Sequence, residues 1–194
     1  EFSMHELIDI NDLKGVGTRE PAALISAFCK SVSDLLATLP LEEVPGRIAE
    51  QLPSLLSCPD LLTPEQRSLN GEDYEKHEVF LCPHDDFSVL AVVWPAGIHS
   101  PIHDHQTWCT FGVLAGEIQE TIYEAVDATL DCREARALRS THHIAGSVAH
   151  MPVNASNIHC MHNPGTTPAI SIHIYGGNSA KLGANVDKIY TVRA

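Results

Sequence analysis

A change of hydrophobic pattern near Tyr74 constrains this chain more than any other feature. From there to the C-terminus, short stretches rich in Val, Ile, Phe and Tyr alternate with clusters of Gly, Pro, Asn and Asp, the signature of strands separated by turns. The predicted strands are Glu75–Cys82, Phe87–Trp94, Cys109–Ala115, Glu117–Val126, Ser147–Met151, Ile158–His162, Ala169–Tyr175 and Asp187–Val192. Many short strands at even spacing imply a sandwich or a barrel. Before Tyr74 the period is helical. Leu24, Ile25, Phe28, Val32, Leu35, Leu36 and Leu39 recur at threes and fours across Pro21–Leu39, and proline suits a first helical turn. Ile48, Leu52 and Leu55 mark a second helix, interrupted or delayed by Pro45-Gly46, and Thr63-Pro64-Glu65-Gln66 is a capping box opening a short third one. The expected organisation is mainly β. One domain spans 4–194, with a helical portion over 4–72 and a β-barrel over 73–194. Glu1-Phe2-Ser3, ahead of Met4, reads as an appended remnant.

Composition narrows the function classes. The chain has 194 residues, 44% hydrophobic and 19% charged, enough to bury a core as one globular domain. Its formal net charge of -13 repels phosphate backbones and anionic lipid, so neither nucleic acid nor membrane is an expected partner. An anionic ligand would need a local cation. No apolar run approaches the roughly 20 residues that cross a bilayer, and no signal segment opens the chain. Six cysteines, Cys29, Cys58, Cys82, Cys109, Cys132 and Cys160, include no C-x-x-C pair. That pattern points to free thiols in a reducing cytoplasm rather than to a disulfide framework.

The chemistry starts at His103-Asp104-His105. Residues two apart on a strand share a face, so both imidazoles can reach one metal while Asp104 points away. The surrounding spacing is Gly97, five residues, His103-x-His105, three residues, Cys109, six residues, Gly116. Further on, five residues separate Gly146 from Pro152 and three separate His159 from Asn163, with Asn154 where a glycine is usual. These two stretches match the paired cupin motifs, with Cys109 in place of the usual glutamate, and predict a cupin jelly-roll barrel. His159 is the expected third ligand. His99, His142, His143, His150 and His162 are the alternatives; His162 falls on the opposite face of a regular strand, and His142-His143 sits in a polar, turn-like stretch that reads as solvated. Three imidazoles suit zinc, copper, nickel or iron equally by ligand type.

Ser100-Pro-Ile-His-Asp-His-Gln-Thr-Trp-Cys109, Gly112-Val-Leu-Ala-Gly116, Ile158-His-Cys-Met-His-Asn-Pro164 and Ala169-Ile-Ser-Ile-His-Ile-Tyr175 together resemble the cysteine dioxygenase family of thiol dioxygenases. The resemblance implies iron(II) on His103, His105 and His159, and an outer Ser171-x-His173-x-Tyr175 relay. In that relay Tyr175 donates to substrate or oxygen, His173 orients Tyr175, and Ser171 orients His173. The residues agree, because a period of two puts these three on one face and Ile170, Ile172 and Ile174 on the other. The alternative for this strand is a plain scaffold with one solvent face. The resemblance also offers a Cys109–Tyr175 thioether, against the alternative of a buried free thiol.

Within the family an arginine near the first strand accompanies cysteine as substrate, and a glutamine accompanies 3-mercaptopropionate. Here Lys76 stands at the matching place, or His77 if the register slips by one; the alternative for Lys76 is an exposed residue on a strand edge. The Trp108 and Val113-Leu114 region is similar to bacterial members of the mercaptopropionate type. The implied reaction is oxidation of a small mercapto acid by O2 to a sulfinate, with cysteine as the second substrate. A zinc or manganese isomerase or hydrolase, and a non-catalytic binding module, are the rival classes. Oligomeric state is not legible.

Overall fold

The computed structural model describes residues 20–127, 133–151, 157–182 and 186–192. The N-terminal remnant, Cys132, Pro152 and Asn154 lie outside them. Two helices come first, α1 (Pro21–Thr38) and α2 (Val44–Leu56), followed by a 3-10 turn at Glu65–Arg67. Pro45 falls in the first turn of α2 rather than delaying it, since a proline there gives up no intrahelical bond. The predicted capping box forms reciprocally: Gln66 N–H donates to Thr63 Oγ1 at 3.3 Å, and Thr63 N–H to Gln66 Oε1 at 3.1 Å.

Ten strands follow: β1 (Glu75–Leu81), β2 (Phe87–Trp94), β3 (Ile102–His105), β4 (Cys109–Ala115), β5 (Glu117–Ala125), β6 (Glu134–Ile144), β7 (Val148–Met151), β8 (Ile158–His162), β9 (Ala169–Gly176) and β10 (Val186–Val192). One sheet has the order β1-β2-β9-β4-β7, and the other closes on itself as β10-β3-β8-β5-β6. This is the expected cupin jelly roll. Sequence pattern alone did not mark β3 or β6 as strands. The first is four residues long, and only Ala135 and His143 of the eleven residues of β6 are buried, so neither shows an apolar alternation. Among the described residues no helix is long and apolar enough to cross a membrane.

The helices position the site from behind. Phe28, Val32, Ile48, Leu52 and Leu55 join Val89, Ala91 and Val93 of β2 and Ile170, Ile172 and Ile174 of β9 in one buried cluster. The isoleucine face of β9 is therefore covered by helix, and its other face looks into the barrel. All eight residues of β9 are buried, so neither of its faces is a solvent face. The helix–sheet seam is closest at Gly112 on β4, where an added Cβ would stand 2.6 Å from Leu56 Cδ1 and 3.0 Å from Leu52 Cδ2. Replacing Gly112 by alanine forces α2 away from the barrel, and we expect a loss of about 1–3 kcal/mol. Urea unfolding of G112A checks this, and an unchanged midpoint would mean that the seam yields without cost.

Candidate metal centre

Strand alternation puts His103 and His105 on the same face of β3, and His159 of β8 is the direct cross-strand partner of His103. Their ligand atoms all lie within 4.8 Å of one another. His105 Nε2 and His159 Nε2 are 2.9 Å apart. The far side of two rings is spoken for: His103 Nδ1–H donates to the Pro101 carbonyl at 2.8 Å, and His159 Nδ1–H donates to Glu120 Oε1 at 2.8 Å. Both partners are pure acceptors, so each ring keeps its proton on Nδ1 and turns the Nε2 lone pair inward, the tautomer that a metal needs. Burial first, then the charges of His159 and Lys76, pushes His103 down to about 3, which leaves it neutral. The donor set therefore fits a transition metal.

Asp104 points away from the rings, as alternation requires. Its carboxylate accepts from the Lys188 backbone N–H at 2.6 Å and from the Tyr190 hydroxyl at 2.8 Å. It thereby ties the short ligand-bearing strand to β10 where their register is irregular. Asn163 fixes the other end of the site, donating to the Trp94 and Thr167 carbonyls at 3.0 and 2.8 Å.

The structure also brings in two residues that sequence reasoning missed or misplaced. Glu120 of β5 is 5% exposed and reaches His159. The expectation that His143 is solvated is wrong: it is 7% exposed, and its Nε2–H donates to Glu120 Oε2 at 3.2 Å. The sequence around His143 looks like a turn because β6 is polar on both sides, but pairing with β5 aims this one ring inward. His142, on the outer face, pairs instead with Glu117 at 2.8 Å. The remaining alternatives lie elsewhere: His99 and His162 face each other across an isolated bridge, and His150 is exposed.

On the inner face of β9, the three relay candidates are in sequence-predicted contact. Trp94 Nε1–H donates to Ser171 Oγ at 2.9 Å, Ser171 Oγ lies 2.8 Å from His173 Nε2, and His173 Nδ1 lies 3.1 Å from the Tyr175 hydroxyl. Burial first, with the nearby Lys76 charge, pushes His173 down to about 3, so its ring carries one proton. Ser171 Oγ, which accepts from Trp94, and the Tyr175 hydroxyl are the partners of the two ring nitrogens, one carrying the proton and the other the lone pair. The phenolic O–H also hydrogen-bonds with the Cys109 thiol across the two strands. Burial and the neighbouring Cys109 raise the phenol well above its ordinary range, which keeps it a donor. Cys109 is the direct cross-strand partner of Tyr175, is 1% exposed, and has its thiol pushed up by burial.

Lys76 is half-buried rather than exposed. It lines a cleft together with Tyr74, Trp94, His103, His159 and Tyr175. Its ammonium sits 5.8 Å from the Tyr74 ring centroid, and Tyr74 in turn stacks on Trp94 at 4.8 Å. Burial lowers the lysine. His77, the one-residue alternative, is turned to the other side, where it meets the Ser68 carbonyl at 2.9 Å. The cleft is small, about 20 Å³, room on the order of one water.

A double-sheet barrel with three inward imidazoles defines a cupin able to hold a metal ion. Residues 69–181 match the family described as cysteine dioxygenase type I, more than half of the 194 residues, and the chain belongs to that family. Solved structures show fainter likeness. A double-stranded beta-helix protein from Klebsiella pneumoniae is 18% identical over 66% of this chain and 93% of its own, with a TM-score of 0.44. The Cnp3 cupin domain of Schizosaccharomyces pombe is 18% identical over 60% of this chain and 74% of its own, with a TM-score of 0.42. A cupin domain of a transcriptional regulator from Enterobacter cloacae is 11% identical over 54% of this chain and 97% of its own, with a TM-score of 0.39.

Single alanine replacements of His103, His105 and His159 should each abolish stoichiometric metal binding while leaving β-rich circular dichroism intact. Metal analysis after loading with a divalent transition metal and desalting checks this. Full occupancy in His159→Ala would remove that residue from the ligand set.

Proposed function

We propose that this chain is an iron(II)-dependent thiol dioxygenase. It adds both atoms of O2 to the sulfur of a small mercapto acid, 3-mercaptopropionate or a close relative, giving a sulfinate. The observation that carries this reading is the content of the cleft: His103 and His159 of the three-histidine group, Tyr74, Tyr175 and Lys76 line it, with no carboxylate in its lining. A lysine that is half-buried without an acidic partner is costly unless an anion joins it. The acid group of the substrate supplies that anion and lets its sulfur reach the metal. An ammonium group on the same substrate would find no carboxylate in the lining, which favours a plain mercapto acid over cysteine.

Iron(II), when bound, supplies a site for the thiolate and for oxygen and a path for electrons between them. The balance closes without another reductant: RSH + O2 gives RSO2H, with sulfur losing the four electrons that oxygen gains. The protein's own groups hold and orient. His103, His105 and His159 would hold the metal through neutral nitrogens, leaving its charge to be matched by the substrate. Lys76 grips the acid group. Tyr175, aligned through His173 and Ser171, turns its O–H from Cys109 towards substrate or oxygen. The partners are thus a small thiol and O2 in a cytoplasmic setting, and the net charge of -13 disfavours nucleic acid and membranes.

An oxygen electrode with iron-loaded protein tests the reaction. With 3-mercaptopropionate, one O2 should be consumed per sulfinate, both sulfinate oxygens coming from labelled gas, and cysteine should give the lower kcat/KM. A single labelled atom, or no thiol-stimulated uptake, would sink the assignment in favour of an isomerase or a binding module. Lys76→Ala should raise KM for the mercapto acid about 10-fold or more, the worth of one charge-assisted hydrogen bond. Tyr175→Phe should keep its iron and lose about 10–100-fold in kcat.

The opposition of Cys109 and Tyr175 across β4 and β9 supports a thioether between them, formed with O2 as oxidant during turnover. Protein after many turnovers should then contain a species lighter by a pair of hydrogens in intact mass, absent in Cys109→Ser. A uniform unlinked mass would leave Cys109 as a buried thiol.

A further inference from the structure

Glu120 lies outside the cleft yet is buried, and both its oxygens are engaged, by His159 Nδ1–H at 2.8 Å and His143 Nε2–H at 3.2 Å. A buried carboxylate needs compensation. Here the contacts come from two imidazoles, and among the described residues no lysine or arginine pairs with it. Both oxygens accept from N–H groups, the arrangement an ionised carboxylate takes. The carboxylate is thus an anion stabilised by dipoles, with its formal charge unmatched. It sits behind one ligand of a group of three neutral nitrogens, where a divalent cation on the far side of His159 would match it.

His143 is no loose surface ring. It stands edge-on to Phe111, with ring centroids 5.2 Å apart, and Phe111 stacks on His173 at 5.4 Å. The brace on Glu120 is therefore built into the packed interior.

The geometry points to Glu120, braced by His143, as the positioning residue of the metal centre: it fixes the tautomer and direction of His159 and lends negative charge to a ligand set that has none of its own. This rests on the reading of His103, His105 and His159 as metal ligands. A glutamine can still accept from His159 Nδ1–H through its carbonyl oxygen, its NH2 then facing His143 Nε2, so a role carried by the hydrogen bond to His159 survives the exchange while the charge does not. The two roles separate on that point.

The experiment uses the full-length protein and its Glu120→Gln and His143→Gln variants, purified metal-free and titrated with iron(II) under anaerobic conditions. The midpoint potential of the bound Fe(III)/Fe(II) couple is the second readout, and thermal unfolding of the metal-free proteins controls for folding. Glu120→Gln should bind iron(II) about 10–100-fold more weakly and shift the potential upward, because the lost charge favoured the ferric ion more than the ferrous one. His143→Gln should move both quantities the same way by less. A folded Glu120→Gln variant with affinity and potential indistinguishable from the parent overturns the proposal while leaving the ligands in place. If Glu120→Gln fails to fold, His143→Gln decides, and unchanged values there overturn the proposal too. A parent protein that takes up no iron removes the ligand reading, and this inference with it.

Discussion

Burial of β9 on both faces, with opposite chemistry on each, is the constraint from which the site follows. Ile170, Ile172 and Ile174 pack into the cluster formed with α1 and α2, so the strand cannot shift without exposing apolar surface at about 25 cal/mol per Å². Ser171, His173 and Tyr175 are held on the inner face with the same rigidity. Flanking strands complete the hold: Leu90 and Phe111 pair with His173 from β2 and β4. Because water is excluded there, His173 stays neutral and carries a single N–H. One chain of hydrogen bonds then links Trp94, Ser171, His173 and Tyr175.

The electrostatics have a similar economy. Three neutral imidazoles bring no charge to a metal, the single cation Lys76 faces the cleft, and the anion Glu120 stands behind His159. Across a protein with a net charge of -13, that local arrangement creates one spot where a small anion is welcome. Neighbouring histidines thus differ in role by what their second nitrogen meets. His103 and His159 meet acceptors and become candidate ligands, whereas His173 meets two hydroxyls, one on each ring nitrogen.

Much of this was legible in the sequence because period and spacing carry it. The helical run of α1 and the capping box at Thr63 follow from period alone, and the structure places them accordingly, whereas the H-x-H pair on β3 and the polar face of β9 took their reading from the surrounding motif spacing and the resemblance. What escaped depended on partners distant in the chain. β6 has almost no buried side chains to betray it, so His143 looked like a turn residue. Glu120 sits in Glu117–Ala125 among other polar residues, and only the pairing of β5 with both β6 and β8 reveals that its face is the inner one. Lys76 could be placed near the site only by resemblance, since a lysine on an edge strand is ordinary. Its half-buried setting depends on Tyr74 and Trp94 closing over it.

Trp94 has a place in two structures at once. Its face stacks on Tyr74, beside Lys76, and its edge N–H anchors Ser171 at the head of the relay. The arm that would choose the ligand and the chain that would orient the tyrosine thus share one indole. Evolution of one without the other is correspondingly restricted. A substitution near Tyr74 that tilts the indole to admit a longer acid also loosens Ser171, so a change of diet would register as a change of turnover. Lineages of this fold that alter their preferred ligand are then expected to do so with Trp94 unmoved, by exchanging the cation on β1 rather than by reshaping the aromatic wall.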